Sequence, residues 1–291
     1  MTMRVEVRDL SLQYGNQMAL KGVSFTLTNE RIYGLLGRNG AGKTSLLSII
    51  ASFREQSDGT IKIAEEYPFE NPEIMQQVLM VYAIDYKDES DNVKQMIEGT
   101  KRYRPHFDEE FAFHLAKQFN LPLNKPAKQF SKGMQSALSV TLGLASRAPI
   151  TIFDEAYLGM DAPTREIFYQ ELLNDQARFP RIMIVSTHLV SEMDYLFDEV
   201  LVLDHGKLVL HEEYESLITK GASITGDVKV VDEFVRSMKQ LNVQQLGNTK
   251  SVMVYVALSD SDRQAAMNKG LEVGPISLQD LFIYLTNEEG V

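Results

Sequence analysis

The 291-residue chain has no cysteine, which excludes disulfides and thiolate metal sites and fits a reducing compartment. It has no long apolar run either. The longest, Val78 to Ile84, is far too short to cross a bilayer. The first residues, Met1 to Glu6, lack a secretory hydrophobic region, so any membrane role is expected to be borrowed from another subunit. Basic charge is not in excess. Against 29 lysines and arginines stand 40 acidic residues, and the net charge of −11 argues against a nucleic-acid partner, which needs a basic face. There is no internal repeat and no low-complexity tract. What remains is an ordinary globular composition, 44% hydrophobic and 24% charged, long enough for one large domain or one domain with an appendage.

Residues 37–44 read Gly37-Arg38-Asn39-Gly40-Ala41-Gly42-Lys43-Thr44, matching every position of G-x-x-x-x-G-K-[ST]. The preceding run, Arg31 to Leu36, has the pattern of a buried strand. The following one, Ser45 to Ile50, has that of a helix opening at the loop. Glycines let the chain wrap tightly and aim backbone N–H groups at phosphate oxygens, while the helix start adds unpaired donors and the positive end of its dipole. Lys43 can neutralise β/γ-phosphate charge, and the Thr44 hydroxyl can hold Mg²⁺. A guanine-reading N-K-x-D element is lacking; Asn124-Lys125-Pro126-Ala127 is the nearest and has no acid, which disfavours a GTPase.

Along the chain, Val5 and Val7 alternate with charged residues, and Val23 to Leu27 alternates too. Both are expected to be antiparallel strands, joined by a turn at Tyr14-Gly15-Asn16. From about Asp85 to Asn124 helix formers and aromatics dominate, with Phe111, Leu115 and Phe119 at i, i+4, i+8. This predicts a helical insertion whose subdomain runs over about 85–145. Ile150 to Phe153 and Arg181 to Val185 are buried parallel strands by pattern, with a helix between them from Pro163 to Arg178. Val200 to Leu203 and Leu208 to Leu210 form a hairpin around Asp204-His205-Gly206-Lys207. Small residues at Gly221 to Gly226 read as a linker. Beyond it come a strand at Val228 to Val231, a helix from about Asp232 to Gln240, a strand at Val252 to Val256 and an amphipathic helix from Leu278 to Leu285. The expectation is an α/β fold with a mixed sheet, an antiparallel β-subdomain, a helical insertion and a small C-terminal α+β extension. Its domains are 1–220 and 221–291.

Phe153-Asp154-Glu155 ends a strand with two carboxylates, at the carboxyl end where parallel sheets hold ligands. Asp154 is placed to hold Mg²⁺ opposite Thr44, and Glu155 to polarise a water toward the γ-phosphate. The next strand ends Val185-Ser186-Thr187-His188, where the histidine can orient that water or donate to a γ-phosphate oxygen. The other four histidines, His106, His114, His205 and His211, read as structural.

Phe130-Ser131-Lys132-Gly133-Met134-Gln135 then precedes a small-residue helix, Ser136 to Leu144. At this point the order of motifs resembles the ATP-binding cassette family of P-loop NTPases. It has the phosphate loop, a signature of the L-S-G-G-Q kind, the aspartate–glutamate pair, a D-loop at Leu158 to Ala162 and a switch histidine, over about Val5 to Leu217. Tyr14 falls where that family stacks an aromatic on adenine. The resemblance implies an ATPase whose ATP, with Mg²⁺, is contacted by Tyr14, Gly37, Arg38, Asn39, Gly40, Ala41, Gly42, Lys43, Thr44 and Ser45 of one copy. Ser131, Gly133 and Asp161 of a second copy complete the site. It further implies metal ligation by Thr44 and Asp154, and catalysis by Glu155 and His188. The partners implied are a second cassette, identical or different, and transmembrane permease subunits, with the protein peripheral on the cytoplasmic face of the membrane. The wording of Gly34 to Asn39 and Ser131 to Met134 is most similar to subunits of ABC-2-type exporters.

Two features depart from the family pattern. Lys132 and Met134 stand for the usual glycine and glutamine of the signature. The Q-loop glutamine is absent: its position falls near Ala83, with Asp85 the nearest polar side chain, and slow basal hydrolysis is expected. The alternatives are a soluble, non-transport ATPase of the same family and an ATP-binding regulatory subunit with little hydrolysis.

Overall fold

The computed structural model describes residues 3–28 and 30–286. In chain order the strands and helices are β1 (Val5–Tyr14), β2 (Gln17–Leu27), β3 (Ile32–Leu36), α1 (Lys43–Ile50), β4 (Asp58–Ile63), α2 (Pro72–Gln77) and β5 (Val78–Tyr82). There follow α3 (Val93–Tyr103), α4 (Glu109–Gln118), α5 (Lys132–Ser146), β6 (Ile150–Asp154), α6 (Ala162–Arg178) and β7 (Ile182–Thr187). Next are α7 (Val190–Met193), β8 (Glu199–Asp204), β9 (Lys207–Glu213) and α8 (Tyr214–Thr219). The chain ends with β10 (Ala222–Asp227), α9 (Val228–Phe234), β11 (Gln240–Leu246), β12 (Thr249–Val254), α10 (Asp260–Asn268), β13 (Glu272–Gly274) and α11 (Leu278–Leu285).

A six-stranded sheet ordered β5-β6-β7-β3-β8-β9 forms the centre, parallel except for the β8–β9 hairpin. Both of its faces are covered, which is why its strands read as continuous apolar runs. In β7 the side chains alternate between two cores. Ile182 and Ile184 join α1 and the antiparallel β2-β1-β4 sheet, whereas Met183 and Val185 join α5, α6 and the helical lobe. The lobe helices start where their sequences supply caps. Asn92 and Gln95 form a reciprocal box at α3, and the Asp108 carboxylate accepts from the Phe111 N–H at α4. Leu115 and Phe119 are buried as their spacing predicts, with Phe111 partly buried against them.

The C-terminal part corrects the sequence reading. Residues 221–226, read as linker, fall from residue 222 onward in β10, a central strand of a β11-β12-β10-β13 antiparallel sheet. Val228 to Val231, read as a strand, is the helix α9, capped by the Asp227 carboxylate on the Lys229 N–H. The expected helix to Gln240 ends at Phe234, and β11 begins at Gln240. The order β10-α9-β11-β12-α10-β13 is a split βαβ arrangement, with Ile224, Val252 and Val254 packed against Val231, Val235 and Ala266 of the two helices. The last helix, α11, forms where its amphipathic pattern placed it. Its Leu278, Leu281 and Phe282 join the main core with Val190 and Met193 rather than the core of this small sheet.

Candidate functional site

The loop between β3 and α1 is fixed by close backbone approaches that only glycine allows. A Cβ on Gly37 would lie 2.7 Å from the Leu203 carbonyl oxygen. One on Gly42, which also sits at φ +107°, would lie 2.7 Å from that of Ala19. The β8–β9 turn is tied to the same loop, the Gly206 N–H donating to Ala41 O (3.0 Å) and Gly206 O accepting from the Lys21 N–H (2.8 Å). Together these segments bound an open cavity of about 880 Å³, lined among others by Tyr14, Arg38, Asn39, Gly40, Lys43, Thr44, Ser45 and Glu155. That size is in the range of small-molecule sites. Tyr14 lies under the Arg54 guanidinium, 4.7 Å from ring centroid to charge, with its hydroxyl 3.4 Å from Ser45 Oγ.

At the cavity floor the carboxyl ends of β3, β6 and β7 converge. Thr44 Oγ1 donates to Asp154 Oδ2 at 2.7 Å, and Ser186 Oγ to Asp154 Oδ1 at 2.5 Å. Ser186 Oγ in turn accepts from the Glu155 N–H at 3.0 Å, so one buried hydroxyl positions both carboxylates. Glu155 itself has φ +47°, a left-handed conformation unusual outside glycine. Its Oε1 lies 3.2 Å from Lys43 Nζ and 3.2 Å from His188 Nδ1. Lys43 is nearly buried and also donates to Gly37 O at 2.7 Å. The arrangement thus holds a cation and two acids in one water-poor corner, where charge–charge interactions are strong.

The residues near the Thr44–Asp154 pair fit Mg²⁺. A hydroxyl and a carboxylate are the hard oxygen donors this ion prefers, and it commonly takes only one or two protein ligands, leaving the rest to phosphate and water. Among the described residues no group of three or more His, Asp or Glu forms a closed metal cage.

Ser131, Gly133 and Asp161 do not line this cavity. Ser131 caps α5, its Oγ accepting from the Met134 N–H at 3.3 Å. Gly133 packs on the loop before α6, since a Cβ there would lie 2.6 Å from Gly159 O, and Ser136 Oγ donates to Leu158 O at 2.6 Å. Asp161 caps α6, and the hydrogen bonds from Thr164 hold its carboxyl below the usual range. These three residues therefore lie outside the cavity, with the Ser131 and Asp161 side chains exposed.

Ala83, at the end of β5, lines a smaller cavity with Thr44, Asp154 and Glu155, and has no side-chain donor to offer them. Asp85 is turned to its own loop, accepting from the Lys87 N–H at 3.0 Å. Two contributors were missed from sequence. His205, read as structural, lines the large cavity, and Ser186 bridges the Asp154 carboxylate and the Glu155 backbone. A hydroxyl within the Val185-to-His188 run was the available signal for Ser186. Nothing in the sequence of a short turn marks His205.

Residues 20–158 match the ABC transporter family. The ABC transporter ATP-binding protein YtrB of Bacillus subtilis (strain 168) is 25% identical to this chain, over 96% of it and 97% of the relative. The Nod factor export ATP-binding protein I of Burkholderia lata is 26% identical over 98% and 97%. A solved ATP binding subunit of an ABC transporter superposes with a TM-score of 0.65 at 22% identity, covering 80% of this chain and 92% of that one. A bacterial Atm1-family ABC exporter with ATP bound gives 0.62 at 20% identity, over 74% of this chain and 40% of that one. Both share the fold.

Proposed function

Because residues 20–158 form an ABC transporter domain, we propose that the chain is the ATP-binding and ATP-hydrolysing subunit of a membrane ABC transporter of exporter type. In this reading it drives separate transmembrane subunits by ATP-dependent pairing of two cassettes. The observation that carries the reading is the convergence of Lys43, Thr44, Asp154, Glu155, Ser186 and His188 under a cavity rimmed by glycine backbone. The names of the relatives, ATP-binding proteins of transport and export systems, support the coupling to transport. Among the described residues no helix is long and apolar enough to cross a membrane, so the translocation path would be supplied by partner subunits, with this chain peripheral on the cytoplasmic face. Exposed Phe53, Tyr82, Ile84 and Tyr103 cluster where β5 meets the helical lobe and offer such a partner an apolar surface.

ATP enters with its adenine against Tyr14 and its phosphates in the 37–45 loop, whose N–H groups and helix dipole favour negative charge. The γ-phosphate attracts Lys43 more strongly than the single carboxylate of Glu155 does. Once released from Lys43, Glu155 is free to hold the attacking water, with His188 orienting the pair. Ser186 keeps both carboxylates in place throughout. Thr44 and Asp154 would hold Mg²⁺, which when bound would supply charge neutralisation of the phosphate oxygens. The outward group of Ser131, Gly133 and Asp161 meets the γ-phosphate held by the second cassette, so cleavage removes the contact that joins the copies.

Phosphate release by the purified protein, compared with Glu155→Gln, tests this. The variant is expected to lose roughly 10²–10⁴-fold in rate and to accumulate as a dimer with ATP and Mg²⁺; a monomer at saturating nucleotide refutes the shared site. One observation favours an ATP-binding regulator instead: Ala83 leaves the metal side of the site without a glutamine. On that reading wild-type hydrolysis is no faster than that of Glu155→Gln.

A further inference from the structure

The two edges of the C-terminal sheet are built differently. β13 is three residues long, carries Glu272 and runs straight into Pro275, all features that stop an edge from pairing with another chain. At the opposite edge β11 has seven residues, Gln240-Leu241-Asn242-Val243-Gln244-Gln245-Leu246, with no charge and no proline. The uncharged stretch continues through Gly247-Asn248-Thr249. The lysines that flank it are drawn away to partners in their own chain. Lys239 sits over the Tyr284 ring at 5.4 Å, and Lys250 pairs with Asp232. The only bulge in its pairing with β12 is at its start, between Gln240 and Asn242, and the rest is regular.

Among the described residues the other edges are defended. Lys21 lies in β2, Asp58 and Lys62 in β4, and Lys207, Glu212 and Glu213 in β9. The uncharged edge β5 is largely buried beneath α5, with a Cβ on Gly143 lying 2.3 Å from Val81 if one were present. β11 is the exception, and it is open to solvent from Val243 onward, with Leu246 87% exposed. In a chain of net charge −11, an uncharged edge of this length lacks the charges that keep the other edges from pairing.

We propose that β11 pairs antiparallel with β11 of a second copy of this chain, joining two four-stranded sheets into one of eight strands, independently of nucleotide. The edge's own chemistry selects an identical copy. A partner of opposite charge has nothing here to recognise, whereas amides, each with a donor and an acceptor, are self-complementary. With the two-fold axis at Val243, Asn242 faces Gln244 of the other copy and Gln240 faces its Leu246. No like charges meet across the axis.

Sedimentation without nucleotide tests the idea on the full chain. The wild type is expected to be a dimer at micromolar concentration. The double variant Gln244→Lys/Leu246→Lys, altered only at exposed side chains, is expected to sediment as a monomer with the wild-type circular dichroism spectrum. Because the chain has no cysteine, Val243→Cys provides a clean second readout. Oxidation is expected to give a disulfide-linked homodimer, whereas Glu272→Cys on the opposite edge gives none. A monomeric wild type, which would leave the edge to a strand from another protein, overturns the proposal. So does a dimer that survives the lysines, or equal cross-linking at both edges. These results stand apart from the nucleotide-driven pairing, which is read by adding Glu155→Gln to the lysine variant and asking whether ATP restores a dimer.

Discussion

Replacing Ser186 by alanine removes one oxygen that does two things. It ends the 2.5 Å hydrogen bond to Asp154 and leaves the Glu155 N–H, held at 3.0 Å, without its acceptor beside a fully buried side-chain position. A buried donor stripped of its partner costs about 1–3 kcal/mol. The Glu155 backbone, already in a left-handed conformation, loses the contact that fixes its carboxylate, so most of that cost falls on the step that needs Glu155 in place. At 1.36 kcal/mol per decade this is a loss of about 5- to 150-fold in kcat. Ser186 touches neither Tyr14 nor the 37–45 loop, so KM for ATP is expected to stay within about two-fold. Steady-state phosphate release over a range of ATP concentrations measures both constants, and circular dichroism checks that the variant is folded. A kcat within two-fold of wild type, or a KM that rises as far as kcat falls, refutes the assignment of Ser186 as the residue that positions the carboxylates.

Asp175→Ala strands Arg181, whose guanidinium lies 2.6 Å from the carboxylate with both side chains almost fully buried. Unfolding in urea is expected to show a loss of about 3–5 kcal/mol, and a loss under 1 kcal/mol would mean the pair does not hold α6 against the sheet. Hydrogen bonds from Thr164 depress the Asp161 carboxyl, so its contribution to stability is complete above the ordinary aspartate range near pH 4 and disappears as pH falls through the depressed value. Asp161→Asn, which keeps an acceptor but cannot titrate, is therefore expected to flatten the acid side of a Tm-against-pH profile; an unchanged profile contradicts this. Ala83→Gln restores a polar side chain beside Thr44, Asp154 and Glu155 and is expected to raise the slow basal hydrolysis several-fold. An unchanged or lower rate would show that the missing glutamine is not what limits turnover.

Legibility in the sequence followed how local each signal was. The 37–44 loop, the Asp154–Glu155 pair and the α11 pattern are set by residues adjacent in the chain, and each element lies where its pattern indicated. Residues 221–226 misled because smallness has two causes. Here it reflects close packing: a Cβ on Gly221 would lie 2.3 Å from Ile276, and one on Gly226 2.5 Å from Leu271. A loose linker and a crowded strand look alike until the neighbours from forty or more residues away are known. The Val228-to-Val231 run was read by β-propensity, yet Val231, Phe234 and Val235 stand at i, i+3, i+4, the apolar face of α9 and its C-cap. His205 reaches the cavity only because the β8–β9 turn is tied to the phosphate loop through Gly206, a long-range contact with no mark in the turn's own sequence.

The position of Lys43 links binding to chemistry. Without phosphate its ammonium is shared between Gly37 O and Glu155, so the carboxylate is already engaged. A polyphosphate carries several charges into the same corner and competes for that ammonium directly, while the loop's fixed N–H groups hold it at no further cost in ordering. On the proposed mechanism Glu155 is then freed from Lys43 in the same event that brings its target, while its backbone N–H keeps donating to Ser186 Oγ. On that mechanism this geometry would suppress idle hydrolysis before a second cassette arrives. It follows that Lys43→Met would lose more than affinity for phosphate. It would also unlock Glu155 in the empty site, where His188 at 3.2 Å is the remaining polar partner, and the His188 ring would then feel a full carboxylate charge. Histidine NMR spectra of the nucleotide-free protein, recorded at one pH, are expected to differ at the His188 ring between Lys43→Met and wild type; coincident His188 signals would mean that Lys43 does not engage Glu155 in the empty site.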